Sequence, residues 1–287
     1  MIDKSLLDFR KAFHAELIET GVLSISDGVA SNADRSSRPS KRIALAIFDK
    51  ISESSQNTEA KLSGQTAGAK FEQICARYID ATFGLLELAR PGSWIVGSDG
   101  IQGGSGLAKF EQFAHLALLD KLASTNPELK AAIGSDYLIK PDVLVARLPE
   151  PDEKLVSTTS ALQDADYARK TPLRLRNNNK PLLHATVSCK WTMRSDRAQN
   201  ARTEALNLIK NRKGRVPHVV VITGEPTPGR IASLAYGTGE VDCVYHFALN
   251  ELIGAVENDP SAYDTLSAML EGNRLRDISD LPFDLAI

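Results

Sequence analysis

The sequence predicts an α/β fold, and three neighbouring segments carry that prediction. Leu182 to Thr192 alternates, with Leu183, Ala185, Val187 and Cys189 facing one way and His184, Thr186, Ser188 and Lys190 the other, as strand residues do. A helix follows from about Ser195 to Asn211, with Ala198, Ala201, Ala205, Leu208 and Ile209 as its apolar stripe. Val216 to Ile222 is then nearly all apolar, as strands buried on both faces are. Strand, helix and buried strand in that order make layers, with functional residues expected at the strand ends.

The flanking segments are read in chain order. Leu6, Phe9, Phe13 and Leu17 recur at helical spacing, so Leu6 to Glu19 is a helix. Ser31 to Ser40 is a polar loop by composition, followed by a helix over Arg42 to Ser52. Gly64 to Gly68 breaks the chain before a helix through Phe71, Ile74, Tyr78 and Phe83. The glycine-rich Gly97 to Gly106 lacks the GK[ST] ending of a phosphate loop and reads as a surface loop. Leu107 to Leu122 is read as a helix, Leu138 to Arg147 as a strand, and Pro149 to Lys180 as a polar insertion or partner-contacting arm. A strand and helix close the pattern through Val241 to Val256. The whole, residues 1–287, is taken as one domain.

Composition narrows the function classes. Apolar residues make up 43% and charged residues 24%, as in ordinary globular proteins with a sizeable core. No run approaches the roughly 18 apolar residues of a membrane span. Met1 to Arg10 mixes acids and bases unlike a signal peptide, so the cytoplasm is the expected location. Cys75, Cys189 and Cys243 are odd in number and far apart, which argues against a disulfide framework or a CxxC zinc site. His14, His115, His184, His218 and His246 show no HxxxH spacing, so any metal is expected to be a hard cation on carboxylates. The net charge is -2, yet from Lys190 to Arg215 eight basic residues face only Asp196 and Glu204. Such a run alone describes a solvated helix face; the residues embedded in it decide otherwise.

Lys190 and Glu204, within that run, group with Ser188-Cys189 just before it and with Lys140-Pro-Asp142 on the preceding strand. Phosphodiester hydrolysis needs a divalent metal to neutralise the transferring phosphate and acidify an attacking water. Mg²⁺ takes one or two carboxylates, with waters and phosphate filling its octahedron, and Asp142 and Glu204 supply those. Lys190 adds a compact cation for the water or the developing charge. Glu204 follows Ala201 by three and precedes Leu208 by four, so it borders the buried face of its helix. Taken singly, Asp142 is a turn residue, and Lys190 and Glu204 are surface charges; their order beside a basic helix favours the grouping.

On these motifs the chain resembles the PD-(D/E)xK nucleases, and within them the restriction endonucleases of the NgoMIV type. The superfamily acid expected at position 188 is Ser188, a departure which that branch makes good with an acid from the next helix, where Glu204 stands. The resemblance runs from Ser31-Asn-Ala-Asp34 through Ser188 to Arg202 and on to Arg276 to Ile287. It implies a restriction-endonuclease-like core, a mixed central sheet flanked by helices. It implies a Mg²⁺ site of Asp142, Glu204 and the Cys189 backbone carbonyl, with Ser188 and an additional active-site glutamate, Glu72. It also implies a homotetramer, a dimer of dimers holding two DNA sites.

Arg194, Asp196 and Arg197 open the helix after the catalytic strand. Arginine forks suit guanine O6 and N7, and a carboxylate accepts from cytosine N4, so the trio suits G·C pairs. Helix capping by Asp196 with an arginine partner is the plainer alternative. The resemblance implies a CCGG core, and it carries Arg230, Asp34 and Gln65 as contacts to a flanking pair that would extend it to GCCGGC. A sequence-independent repair or junction nuclease, or a DNA-binding protein that has lost its chemistry, are the rivals. The expected activity is Mg²⁺-dependent cleavage of double-stranded DNA at a palindrome, leaving 5′ phosphates.

Overall fold

The computed structural model describes residues 4–52, 62–97, 106–128, 131, 140–156, 162, 167–193, 195–237 and 239–287, without the side chains of 195–198. Among these, the helices are α1 (Leu6–Glu19), α2 (Arg38–Ser52), α3 (Gly64–Phe83), α4 (Leu116–Thr125), α5 (Asp152–Leu155), α6 (Ser195–Asn211), α7 (Pro228–Ala235), α8 (Leu249–Val256), α9 (Pro260–Glu271) and α10 (Leu281–Asp284). The strands are β1 (Ile25–Ser26), β2 (Val29–Ala30), β3 (Trp94–Gly97), β4 (Val143–Arg147), β5 (Leu182–Lys190), β6 (His218–Thr223), β7 (Cys243–His246) and β8 (Leu275–Asp277). β1 and β2 form a separate hairpin, and the other six make one sheet in the order β3-β4-β5-β6-β7-β8. β3, β4 and β5 pair antiparallel, and β5 through β8 pair parallel, so the sheet is mixed.

The strands hold that order because both faces of the sheet are covered. β4, β6 and β7 are buried along almost their whole length. On one face lies α3, whose Phe71, Ile74, Cys75 and Ile79 are buried, and the Cys75 thiol meets that of Cys189. On the other lies α6, burying Ala201, Ala205 and Leu208 against Thr186, Ser188, Val219 and Val221. A single apolar cluster runs from Phe13 to Leu285 through both layers. The N- and C-terminal parts are tied by Arg10, whose guanidinium pairs at 2.6 Å with Glu251 and 2.9 Å with Asp277.

Several expectations need correcting. Residues 107–122 are not one helix: two 3-10 turns, Gly106–Lys109 and Glu111–Phe113, precede α4. The extended backbone of Phe110 separates them, and Gln112 bonds the Leu183 backbone, donating to its carbonyl at 2.7 Å and accepting from its N–H at 2.9 Å. The simple alternation of β5 also breaks. Val145 pairs with Ala185 but Ala146 with Leu183, so His184 is an extra residue against β4. His184 therefore stacks on Phe83 of α3 and on Trp94 and, unlike Thr186 and Ser188, does not line the cleft beneath α6. The polar loop after Ser31 ends earlier than expected, because α2 begins at Arg38 with Pro39 in its first turn. Within 149–180 the described residues are partly organised: a bridge joins Glu150 to Arg174, and Arg174 pairs with Asp152 at 2.6 Å. Most of the glycine-rich Gly97 to Gly106, and the start of the expected strand at Leu138, lie outside the described residues.

Candidate active site

The antiparallel pairing of β4 with β5 brings the start of one strand beside the end of the other. Val143 faces Val187, which sets Asp142 beside Ser188 and Cys189. One Asp142 oxygen, Oδ2, accepts from the Cys189 N–H at 2.7 Å and from Lys190 Nζ at 3.1 Å, with Ser188 Oγ at a long 3.4 Å. Lys190 is held from behind as well, since its carbonyl accepts from Thr223 Oγ1 at 2.9 Å and from the Gly224 N–H at 3.1 Å. Because N–H and C=O of one strand residue point to the same side, the Cys189 carbonyl lies on the Asp142 side, away from β6.

Glu204 of α6 borders the same cleft, which is lined by Pro141, Thr186, Ser188, Ala201 and Ala205. Glu72 approaches from α3 on the opposite face. The electrostatics show that these groups act on one another. Burial raises the Glu204 carboxyl pKa, with Asp142 adding to the rise and Lys190 opposing it. Burial likewise pushes Glu72 up to about 7, again with Asp142 adding and Lys190 opposing. For Lys190 burial works against the charge, but the Asp142 carboxylate and its hydrogen bond, with Glu204, outweigh it and raise the pKa. The site thus holds one firmly protonated lysine among carboxyl groups starved of solvent and of positive charge.

That donor set fits a hard divalent cation. Among the described residues three carboxyl groups share Lys190, and burial, with the Asp142 charge adding to it, makes two of them resist ionisation. Among the described residues no three His, Cys, Asp or Glu groups close into a ligand cage. Mg²⁺ asks for fewer, taking one or two carboxylates with water and phosphate beside them. The thiols are poor alternatives: the three cysteines are free and buried, and burial raises Cys189 far above the ordinary thiol range.

A second cluster lies beside the first, at the carboxyl end of β6. Arg230, in the first turn of α7, forms an ion pair with Asp34 of the N-terminal loop and sits 3.8 Å from Glu225. Asp34 is shaped by its own turn, accepting from the Ser36 N–H at 2.9 Å and Oγ at 2.7 Å. The Arg230 bond, helped by Ser36, holds the Asp34 carboxyl far below the usual range.

Comparison with known proteins places this arrangement. The model of the family described as NgoMIV restriction enzyme matches residues 13–287. The chain belongs to the NgoMIV restriction enzyme family. It is 49% identical over 281 residues to the type II restriction enzyme NgoMIV of Neisseria gonorrhoeae, covering 97% of each chain. A solved complex of the restriction endonuclease PspGI with substrate DNA gives a TM-score of 0.30 at 12% identity, over 99% of this chain and 92% of that one, too weak a likeness to argue from. Membership of the family makes the chain a type II restriction enzyme, and its mixed sheet flanked by helices is the core expected from the sequence.

For the NgoMIV family member described here, the sequence-selected residues fall into three groups. Asp142, Ser188, Cys189, Lys190, Glu204 and Glu72 converge on one strand end. Asp34 and Arg230 meet each other, whereas Gln65 is exposed in the first turn of α3 with no hydrogen bond to that pair among the described residues. Arg194, and the side chains of Asp196 and Arg197, lie outside the described residues. Of the remaining basic residues, Arg202 donates to the Leu234 carbonyl at 3.4 Å and Arg212 to that of Ile209. Lys210, Lys213 and Arg215 are exposed. Sequence reasoning missed Thr223, Gly224 and Glu225, the turn that grips both Lys190 and Arg230. Its only signal was a proline-flanked acid directly after a buried strand.

Proposed function

We propose that this chain hydrolyses both strands of double-stranded DNA at a palindromic CCGG-centred site, GCCGGC, with Mg²⁺, leaving 5′ phosphates. The observation that carries the reading is the shared oxygen of Asp142, bonded at once by Lys190 and the Cys189 amide while Glu204 closes the cleft. Asp142, Glu204 and the Cys189 carbonyl would hold the ion, which when bound supplies charge neutralisation at the phosphate and a more acidic water. Lys190, kept protonated by Asp142, places a cation where charge develops on the phosphate oxygens. Glu72, pushed up to about 7 by burial and by Asp142, would ionise more readily with a cation in the cleft and so favour one there. Ser188 leaves the strand position free of a third acid, which Glu204 replaces from the helix.

Sequence reading is assigned to the start of α6, where Arg194 and Arg197 pair with guanines and Asp196 with cytosine. Arg230, Asp34 and Gln65 read the outer pair. In the DNA-free chain Arg230 is occupied by Asp34, so the two would re-pair onto bases together. The chain is one domain that works at least as a two-fold pair, since a palindrome calls for a pair of readers, and the family resemblance extends this to a homotetramer with residues 149–180 among its contacts. Cleavage of a GCCGGC duplex under metal titration tests the chemistry. Products that accept label at the 5′ end only after phosphatase treatment, formed with Mg²⁺ and lost in Asp142→Asn, are expected; metal-independent cutting or 3′ phosphates would refute it.

A further inference from the structure

The turn after β6 touches Lys190, the segment before Asp34, Met193 and Arg230. Thr223 and Gly224 bond the Lys190 carbonyl. The Gly224 carbonyl accepts from Asn32 Nδ2 at 2.8 Å, two residues before Asp34. Glu225 is 1% exposed, and its carboxylate spans two directions. Oε2 accepts from the Met193 N–H at 2.9 Å and Oε1 from the Thr227 N–H at 3.2 Å, while Oε2 also faces Arg230 Nη1 at 3.8 Å. The Glu225 carbonyl meets His246 Nε2 at 3.1 Å, so its backbone is fixed too.

Met193 is buried and stands immediately before Arg194, where the chain leaves β5 for the inner reader. Arg230 is the outer reader. One buried carboxylate therefore holds the last residue before one reader and the side chain of the other. A charge so buried is held by several donors, and the loss of its charge leaves the arginine facing a neutral group. We infer that Glu225 is a positioning residue for specificity, coupling recognition of the outer base pair to that of the CCGG core. It touches no DNA and no reacting atom. Its charge sets the direction in which Arg230 is released from Asp34, and its hydrogen bond with Met193 sets where the inner reader begins.

This rests on the assignment of Arg230 and Arg194 as readers, and the test separates the two. Single-turnover cleavage is measured on duplexes carrying GCCGGC, duplexes with a changed outer pair, and duplexes with a changed core, for wild type, Glu225→Gln, Arg230→Ala and the double variant. Glu225→Gln keeps an acceptor for Met193 and is expected to melt close to wild type. It should keep the CCGG requirement and lose about tenfold or more of the outer-pair discrimination, mostly through KM. In the double variant the two losses should fail to multiply, since both act through Arg230. Glu225→Ala, which also frees Met193, should lower kcat on every CCGG duplex. Glu225→Gln with wild-type discrimination, or losses that multiply, would overturn the coupling. A wild-type enzyme indifferent to the outer pair would overturn the assignment of Arg230, and the coupling with it.

Discussion

Asp142 and Lys190 meet at 3.1 Å, and each is about four-fifths buried by its side chain. At this scale the chemistry depends on charges that water does not screen, so single changes should have large kinetic effects. Lys190→Ala removes the cation that, among the described residues, faces the carboxylates, and is expected to slow cleavage by about a hundredfold or more, the loss typical of a group aimed at developing charge. Glu204→Gln should act through metal affinity, raising the Mg²⁺ concentration at half-maximal rate. Glu72→Gln should cost about ten- to a hundredfold, as supporting residues around metal sites do. Single-turnover rates against Mg²⁺ concentration separate the three. Equal rates for Lys190→Ala and wild type would remove Lys190 from the site.

At the scale of elements, the close contact of the turn after β6 with the chain leaving β5 is what sets the readers beside the strand end. A Cβ on Gly224 would run into the Trp191 ring and lie 2.8 Å from its carbonyl, and Trp191 is itself wedged between Phe71 and Phe247. Gly224→Ala should therefore destabilise by about 1–3 kcal/mol through overpacking and slow cleavage along with it. Thermal melting beside rate measurement checks this; an unchanged melt would show that Trp191 moves freely. The elements legible in the sequence were those with a strong single period: α1, β5, α6 and β6. What was not legible depended on distant partners. β3 and β8 are short strands with little pattern, and they exist because β4 and β7 offer edges to pair with. Beside the bulge at His184, Gln112 bonds the Leu183 backbone from across the fold, a pairing that no local pattern encodes. In the site, Asp142, Lys190 and Glu204 were legible because their chemistry and order are specific. Glu225 was not, because a buried acid after a strand signals nothing until its amide partners are seen.

At the scale of the molecule, the buried network of Arg10, Asp277 and Glu251 joins the first helix to the last strand. Arg10→Ala would leave Asp277 buried without its cation, and a loss of about 3–5 kcal/mol is expected in denaturant unfolding. Acid should weaken the whole fold for a separate reason. His184 and His246 are buried with carbonyl partners, and burial lowers each to about 4. In the unfolded chain each takes up its proton from about 6.5. Between those values the unfolded state binds more protons, so stability should fall as pH drops from about 6.5 to about 4, by on the order of 1–3 kcal/mol per histidine. Melting followed across that range, with His184→Gln showing a shallower slope, is the check. Light scattering should give four times the chain mass. The central claim, a Mg²⁺-dependent cutter of CCGG-centred DNA working through Lys190, is tested most directly by digesting plasmids that carry GCCGGC, other NCCGGN sites, or none, with wild type and Lys190→Ala. Discrete fragments that map to GCCGGC, need Mg²⁺ and vanish with the substitution are predicted; smearing on every plasmid, or no cutting despite tight binding to CCGG, would contradict it.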